Sequence, residues 1–161
     1  MADIETVALL RESALGSELS EEECALLANI VSRRTLVNDE VLIEEGLVDH
    51  SLYAVIDGAL AVTKATGWGD GVTLHVLEAG DLAGELGFID GTPHSATLRS
   101  IGATEIFILE RVLFETLVDH QPWLAYRVMR AILRTVHVIL RRMNAQYIEL
   151  SNYISRQHGK F

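Results

Sequence analysis

Near the start of the chain apolar residues recur three and four apart, at Ile4, Val7, Ala8, Leu10 and Ala14, which predicts a short amphipathic helix over 4–15 ended by Gly16. Ser20 and Glu23 then form a capping box, Glu21 and Glu22 complement the positive end of a helix dipole, and Ala25, Leu26, Ile30 and Val31 make an apolar stripe. A second helix is expected over 21–32. From Thr35 to Glu110 the period shortens to β-branched and alternating runs broken by turn residues. Val41-Leu42-Ile43 runs to Gly46, and 52–56 meets Asp57-Gly58, the dipeptide of a tight hairpin, and resumes over 59–64. Val72, Leu74 and Val76 alternate with Thr73, His75 and Leu77. Runs over 96–101 and 105–109, separated by Gly102, complete the set. Many short strands with frequent turns imply a closed or sandwiched antiparallel sheet.

The pattern then returns to helical spacing. Leu113, Phe114 and Leu117 share one side of a short helix over 111–118, and Pro122 suits the first turn of a second that meets no glycine or proline before Gly159. In this long helix, predicted over 122–156, Met129, Leu133, Val136, Leu140, Met143, Tyr147, Leu150 and Ile154 step by four and three through successive heptads. That is a coiled-coil seam and predicts a parallel homodimer. Val128, Ile132, Ile139 and Tyr153 form a second stripe that broadens the apolar face toward the sheet. Arg127, Arg130, Arg134, Arg141 and Arg142 read as solvated flanks of the seam or as partners for the acidic body. The chain thus divides into N-terminal helices over 1–34, strands over 35–110 and a helical segment over 111–161.

The stretch with the richest chemistry runs over 80–100 and reads GDLAGELGFIDGTPHSATLRS. Gly84 and Gly87 lack a Cβ on either side of Glu85, so the backbone there can bend and bring N–H groups to an anion such as phosphate. A carboxylate so placed would repel that anion unless it meets hydroxyl groups, which a sugar attached to the phosphate supplies. Gly84-Glu85-Leu86-Gly87 followed by Pro93-His94-Ser95-Ala96-Thr97 resembles the phosphate-binding cassette of cyclic-nucleotide-binding domains. Glu44-Glu45-Gly46 with Ser51-Leu52-Tyr53 and Asp57-Gly58 is similar to an upstream segment of that family, and Leu140-Arg141-Arg142-Met143-Asn144 to a run in its long helix.

The resemblance implies an α+β fold, an antiparallel jelly-roll β-roll flanked by N-terminal helices and a long C-terminal helix. It also implies a cyclic nucleotide as ligand, with cyclic AMP the first candidate. Glu85 becomes the ribose ligand, Gly84, Leu86 and Ser95 become contacts to phosphate or sugar, and Asn144 a contact to the base. Two positions depart from the family pattern: Ala83 stands where an aromatic is usual, and His94 stands where an arginine neutralises the phosphate. An imidazole lacks the permanent charge and bidentate fork of a guanidinium and gains a proton only as pH falls. Three readings stay open: weak or pH-dependent nucleotide binding, a different ligand, or a pocket that binds nothing.

Composition narrows the function classes. The 161 residues carry a net charge of −10, so the chain as a whole repels polyanions, and DNA binding by this chain alone is not expected. In the transcription-factor branch of the family the long helix leads into a helix-turn-helix domain, whereas only SNYISRQHGKF follows Leu150. The N-terminus lacks a basic segment ahead of a long apolar run and no apolar run reaches a membrane span, which implies no membrane partner and a cytoplasmic location. Cys24, the lone cysteine, sits among apolar residues and reads as core. His50, His75, His94 and His120 have no metal-ligand spacing, and the adjacent His94 and Ser95 point apart rather than forming a nucleophile and base. Neither metal, cofactor nor enzymatic activity is expected. The sequence therefore describes a regulatory ligand-sensing module that signals through a dimer to an unknown effector protein. The alternative is a ligand-independent interaction or dimerisation scaffold with a degenerate nucleotide pocket.

Overall fold

The computed structural model describes residues 2–69 and 71–159. Helix α1 (Ile4–Glu12) begins at Asp3, whose carboxylate accepts from the Thr6 amide, and α2 (Glu21–Ala28) carries the Ser20–Glu23 capping box with both reciprocal bonds made. Helix α2 stops before Val31, because 31–36 pairs along its whole length with 104–109 and is therefore strand β1 (Val31–Leu36). The remaining elements are β2 (Val41–Ile43), β3 (Ser51–Lys64), β4 (Val72–Glu78), β5 (Leu82–Ala83), α3 (Glu85–Asp90), β6 (Thr97–Glu110), α4 (Arg111–His120) and α5 (Pro122–His158).

Two 14-residue strands, β3 and β6, pair antiparallel and form the spine of the sheet. Strands β1 and β2 flank β6 on one side, while β5 and β4 flank successive halves of β3 on the other, which curls the sheet into a roll. The Asp57-Gly58 dipeptide does not make the predicted hairpin. It makes a bulge inside β3, where Gly58, with φ +89°, lies against Ala103 and Thr104 across an interrupted ladder. Thr104 fills the gap: its hydroxyl donates to the Ala59 carbonyl at 3.0 Å and accepts from the Ala59 amide at 3.3 Å. The bulge also changes parity. Tyr53 and Val55 face the interior of the roll before it, and Leu60 and Val62 do so after it, an odd step that an uninterrupted strand cannot produce.

The opposite faces of these strands pack on the helices. Leu52, Ala54, Phe107 and Leu109 join Leu10, Leu27, Phe114, Leu124, Val128 and Ile132 in one core, while Ile106, adjacent to Phe107, points into the roll. Cys24 lies in the helical core, where burial pushes its thiol up and leaves it inert. Helix α5, 37 residues and roughly 55 Å long, buries Leu124, Val128 and Ile132 against the helical core and Ile139 against the roll. Of the stripe read as secondary, Val128, Ile132 and Ile139 thus make the intrachain contact, whereas Tyr153 is exposed. Of the heptad seam, Met129 and Val136 are partly covered, whereas Leu133 (66%), Tyr147 (73%) and Leu150 (57%) stay exposed, along with Leu140 and Met143. No helix among the described residues is long and apolar enough to cross a membrane.

The bulge predicts a mutational outcome. A Cβ on Gly58 would lie 2.6 Å from the Ala103 carbonyl oxygen at a backbone angle L residues avoid. Gly58→Ala should therefore lower the unfolding free energy by about 1–3 kcal/mol in urea titrations. Gly67→Ala, with open space around it, should leave stability nearly unchanged.

Candidate ligand site

Strand β5 pairs with β3 at Tyr53 and Ala54 and delivers the chain to Gly84. A side chain at Gly84, where φ is +79°, would meet the Ser51 carbonyl at 2.8 Å, so only glycine lets the backbone turn this close to β3. Beyond Gly84 the chain enters the short helix α3 rather than a loop. Its anchor is Phe88, buried with its ring centroid 5.4 Å from that of Phe114, and Gly91, with φ +68°, ends it. Anchoring one side of so short a helix leaves Glu85 half-buried and Leu86 exposed at its start.

The second half of the segment is held by backbone pairing. The His94 amide donates to the Leu47 carbonyl at 2.9 Å, and the Gly46 amide donates to the His94 carbonyl at 2.8 Å. The imidazole is 7% exposed and its Nε2 lies 3.1 Å from Asp49 Oδ2, close enough for electrostatic contact but too poorly aligned for a hydrogen bond. Asp49 is itself fixed, because the Tyr53 hydroxyl donates to Oδ2 at 2.8 Å and the Ser51 amide to Oδ1 at 3.1 Å. Burial, reinforced by Asp49, pushes the Tyr53 phenol well above its ordinary value, so it remains a donor.

Gly84, Glu85, Leu86, His94 and Ser95 all line one cavity of about 310 Å³. Its floor is the interior of the roll. One cross-strand row, Ile43 to Leu98 to Val62 to His75, runs across β2, β6, β3 and β4, and all four side chains face the cavity. Its roof is α5, through Val136, Ile139, Leu140 and Met143. Asn144, the next residue, is exposed and does not line it. Among the described residues, neither lysine nor arginine lines the cavity. Lys64 lies beside the cassette, but its ammonium donates to the Ser95 carbonyl at 2.8 Å and contacts Glu45 at 3.3 Å.

Three residues of this neighbourhood escaped sequence reasoning as site residues: Asp49, Asp81 and His75. Asp81, only 6% exposed, accepts from Arg142 Nη2 at 2.7 Å and from the Glu78 amide at 2.8 Å, and so fastens α5 to the turn between β4 and β5. Asp81 in turn raises the Arg142 pKa further. His75 lies inward beside buried Leu77, while Val72, Leu74 and Val76 face out. Period-2 alternation carried the placement of His75, but the aliphatic residues occupy the outer face of β4 and mask that signal.

A sequence profile described as Cyclic nucleotide-binding domain matches residues 33–121. The chain belongs to the cyclic nucleotide-binding domain family. The cAMP-dependent protein kinase regulatory subunit of Dictyostelium discoideum is 30% identical over 117 residues, covering 71% of this chain and 34% of that protein. The Cyclic AMP receptor protein of Thermus thermophilus is 26% identical over 125 residues, covering 78% of this chain and 58% of that protein. The chain thus spans less than two thirds of the length of either relative. Among solved structures, a cyclic nucleotide-binding domain from Methylobacillus flagellatus gives a TM-score of 0.79 at 23% identity over 90% of this chain and 82% of that one, which shows the shared fold.

Burial depresses the pKa of His75 in this cyclic nucleotide-binding domain, the Arg142 charge adds to the effect, and Asp81 opposes it. With the folded value below the unfolded one, the unfolded chain binds the proton first as pH falls, so stability present above about pH 6.5 is lost on acidification through the folded value. Urea unfolding at pH 7.5 and 5.5 should show that loss, and His75→Leu should make it smaller.

Proposed function

We propose that this chain is a regulatory module, not an enzyme, that binds a cyclic nucleotide, cyclic AMP first among candidates, and signals occupancy through a dimer to an effector protein in the cytoplasm. The observation that carries the reading is the convergence of Glu85 with Gly84, Leu86, His94 and Ser95 on one cavity roofed by α5. On this reading Glu85 accepts from the ribose hydroxyl, and the cassette backbone with Ser95 meets the phosphate. The cyclic AMP receptor protein and the cAMP-dependent protein kinase regulatory subunit among its relatives support the ligand class. Two cavity-lining residues of α5, Leu140 and Met143, also belong to the heptad seam, so a ligand that draws the roof inward changes what the seam offers a second copy.

A second reading has its own observation. Among the described residues, neither lysine nor arginine lines the cavity, and His94 is already in contact with Asp49, so a phosphodiester meets no permanent cation. That arrangement supports a scaffold whose pocket has lost its ligand. The two readings separate in calorimetry with cyclic AMP and cyclic GMP. Binding by the wild type that Glu85→Ala abolishes is the outcome expected for a working site. Restoring a charge-assisted bidentate contact with His94→Arg should tighten it roughly 10- to 150-fold. Absence of binding in the wild type and in His94→Arg alike would leave the scaffold.

Sedimentation provides the dimer test. Wild type should sediment as a dimer with a concentration-dependent Tm, and Tyr147→Glu with Leu150→Glu, both on the exposed part of α5, should give a folded monomer whose Tm no longer depends on concentration. A monomeric wild type at high concentration would remove the dimer from the reading.

A further inference from the structure

We propose that His75 reads the base of the ligand, an inference that rests on the cyclic-nucleotide reading of the cavity. Among the side chains that line the cavity, Glu85, Thr92, His94 and Ser95 are polar and all come from the segment 84–96; His75, from β4, is the remaining polar group. If that segment takes the sugar and phosphate, the heterocycle is what remains of the ligand, and it lies between an apolar floor and the apolar roof of Ile139, Leu140 and Met143. The one hydrogen-bonding side chain left to it is His75.

Packing alone does not explain an imidazole at this position. The other members of its cross-strand row are Ile43, Leu98 and Val62, its inward neighbour on β4 is Leu77, and a leucine would fill the place without a polar atom. Instead, His75 Nδ1 is buried with no hydrogen-bond partner, a state that carries a desolvation penalty until something bonds it. The nearby charges do not satisfy it, because Arg142 and Asp81 are engaged with one another. Burial, with the Arg142 charge adding to it and Asp81 opposing, favours the neutral ring. A neutral imidazole nitrogen either donates or accepts, and the edge of a purine offers both ring acceptors and an exocyclic group to complement it. A group of that kind distinguishes bases by leaving a buried polar atom unpaired when the wrong one is bound.

The test is a titration of the full chain with cyclic AMP, cyclic GMP and cyclic CMP, comparing wild type, His75→Leu, His75→Gln and Glu85→Ala. Wild type is expected to rank the three nucleotides, and His75→Leu to shrink the ratio of best to worst affinity by roughly 3- to 10-fold, the worth of one neutral hydrogen bond. Glu85→Ala is expected to weaken all three alike. In the wild type, the His75 ring nitrogen resonances should shift when the preferred nucleotide saturates the site, a readout independent of any variant folding. A ratio unchanged in both His75 variants, unshifted ring resonances at saturation, or a wild type that binds all three equally would overturn the assignment while leaving the nucleotide reading intact. A wild type that binds none of them would overturn both.

Discussion

The interrupted pairing between β3 and β6 is the constraint on which the site depends. Two strands of this length in continuous register would make a twisted ribbon whose inward residues keep one parity throughout. The bulge at Gly58, with the Thr104 hydroxyl bonding both main-chain groups of Ala59, bends the ribbon and shifts its parity by one. Leu60 and Val62 therefore continue the interior face begun by Tyr53 and Val55. The row from Ile43 to His75 exists only because of that shift, and so does the floor of the cavity. A glycine with open conformational space and a buried threonine thus determine, at a distance, which side chains a ligand meets.

The electrostatics of the cavity obey a different logic from its shape. Its lining holds one carboxylate, Glu85, and its neighbouring cations are engaged: Lys64 with the Ser95 carbonyl and Glu45, Arg142 with Asp81. Asp49 places a second carboxylate behind His94. An imidazole so placed offers an anion fewer donors than a guanidinium and no bidentate fork. An arginine at the same position would offer five donors, enough to contact Asp49 and still present a fork to an anion. On the cyclic-nucleotide reading, the residue at position 94 would therefore set how much of the binding energy comes from charge and how much from the sugar, the base and the apolar walls.

Much of this is legible in the chain. The capping box at Ser20, the proline at the start of α5 and the glycines of the segment 80–100 each report a local backbone requirement, and the structure meets them where they occur. Asp57-Gly58 misleads for an instructive reason. The dipeptide reports a left-handed backbone, and a bulge needs that as much as a hairpin does; only the pairing of residues far apart in sequence decides between them. Within α5 the heptad stripe draws attention from Val128, Ile132 and Ile139, since periodicity cannot tell which of two apolar faces meets the domain and which is left free. Asp49, Asp81 and His75 carry no motif at all. Their significance comes from what the fold sets beside them.

Helix α5 joins the two halves of the functional reading in one rigid element. Residues at its start are buried in the helical core, Ile139 packs into the roll, Arg142 is fastened to Asp81, and beyond Met143 the helix stands clear of the domain. Leu140 and Met143 roof the cavity and lie on the seam, so cavity and seam draw on the same side chains. If ligand changes their arrangement, it changes the free energy of pairing with a second copy, and thermodynamic linkage requires that pairing change ligand affinity by the same factor. A roof that was immobile would leave no coupling, because ligand could not favour one arrangement over another. The Asp81–Arg142 pair opposes movement of the roof, because its carboxylate is buried and parting it from the partly exposed arginine would leave that charge unpaired. On the regulatory reading, a ligand that moves the roof has to offset the cost of disturbing this pair, and that cost bounds how far occupancy can shift the helix.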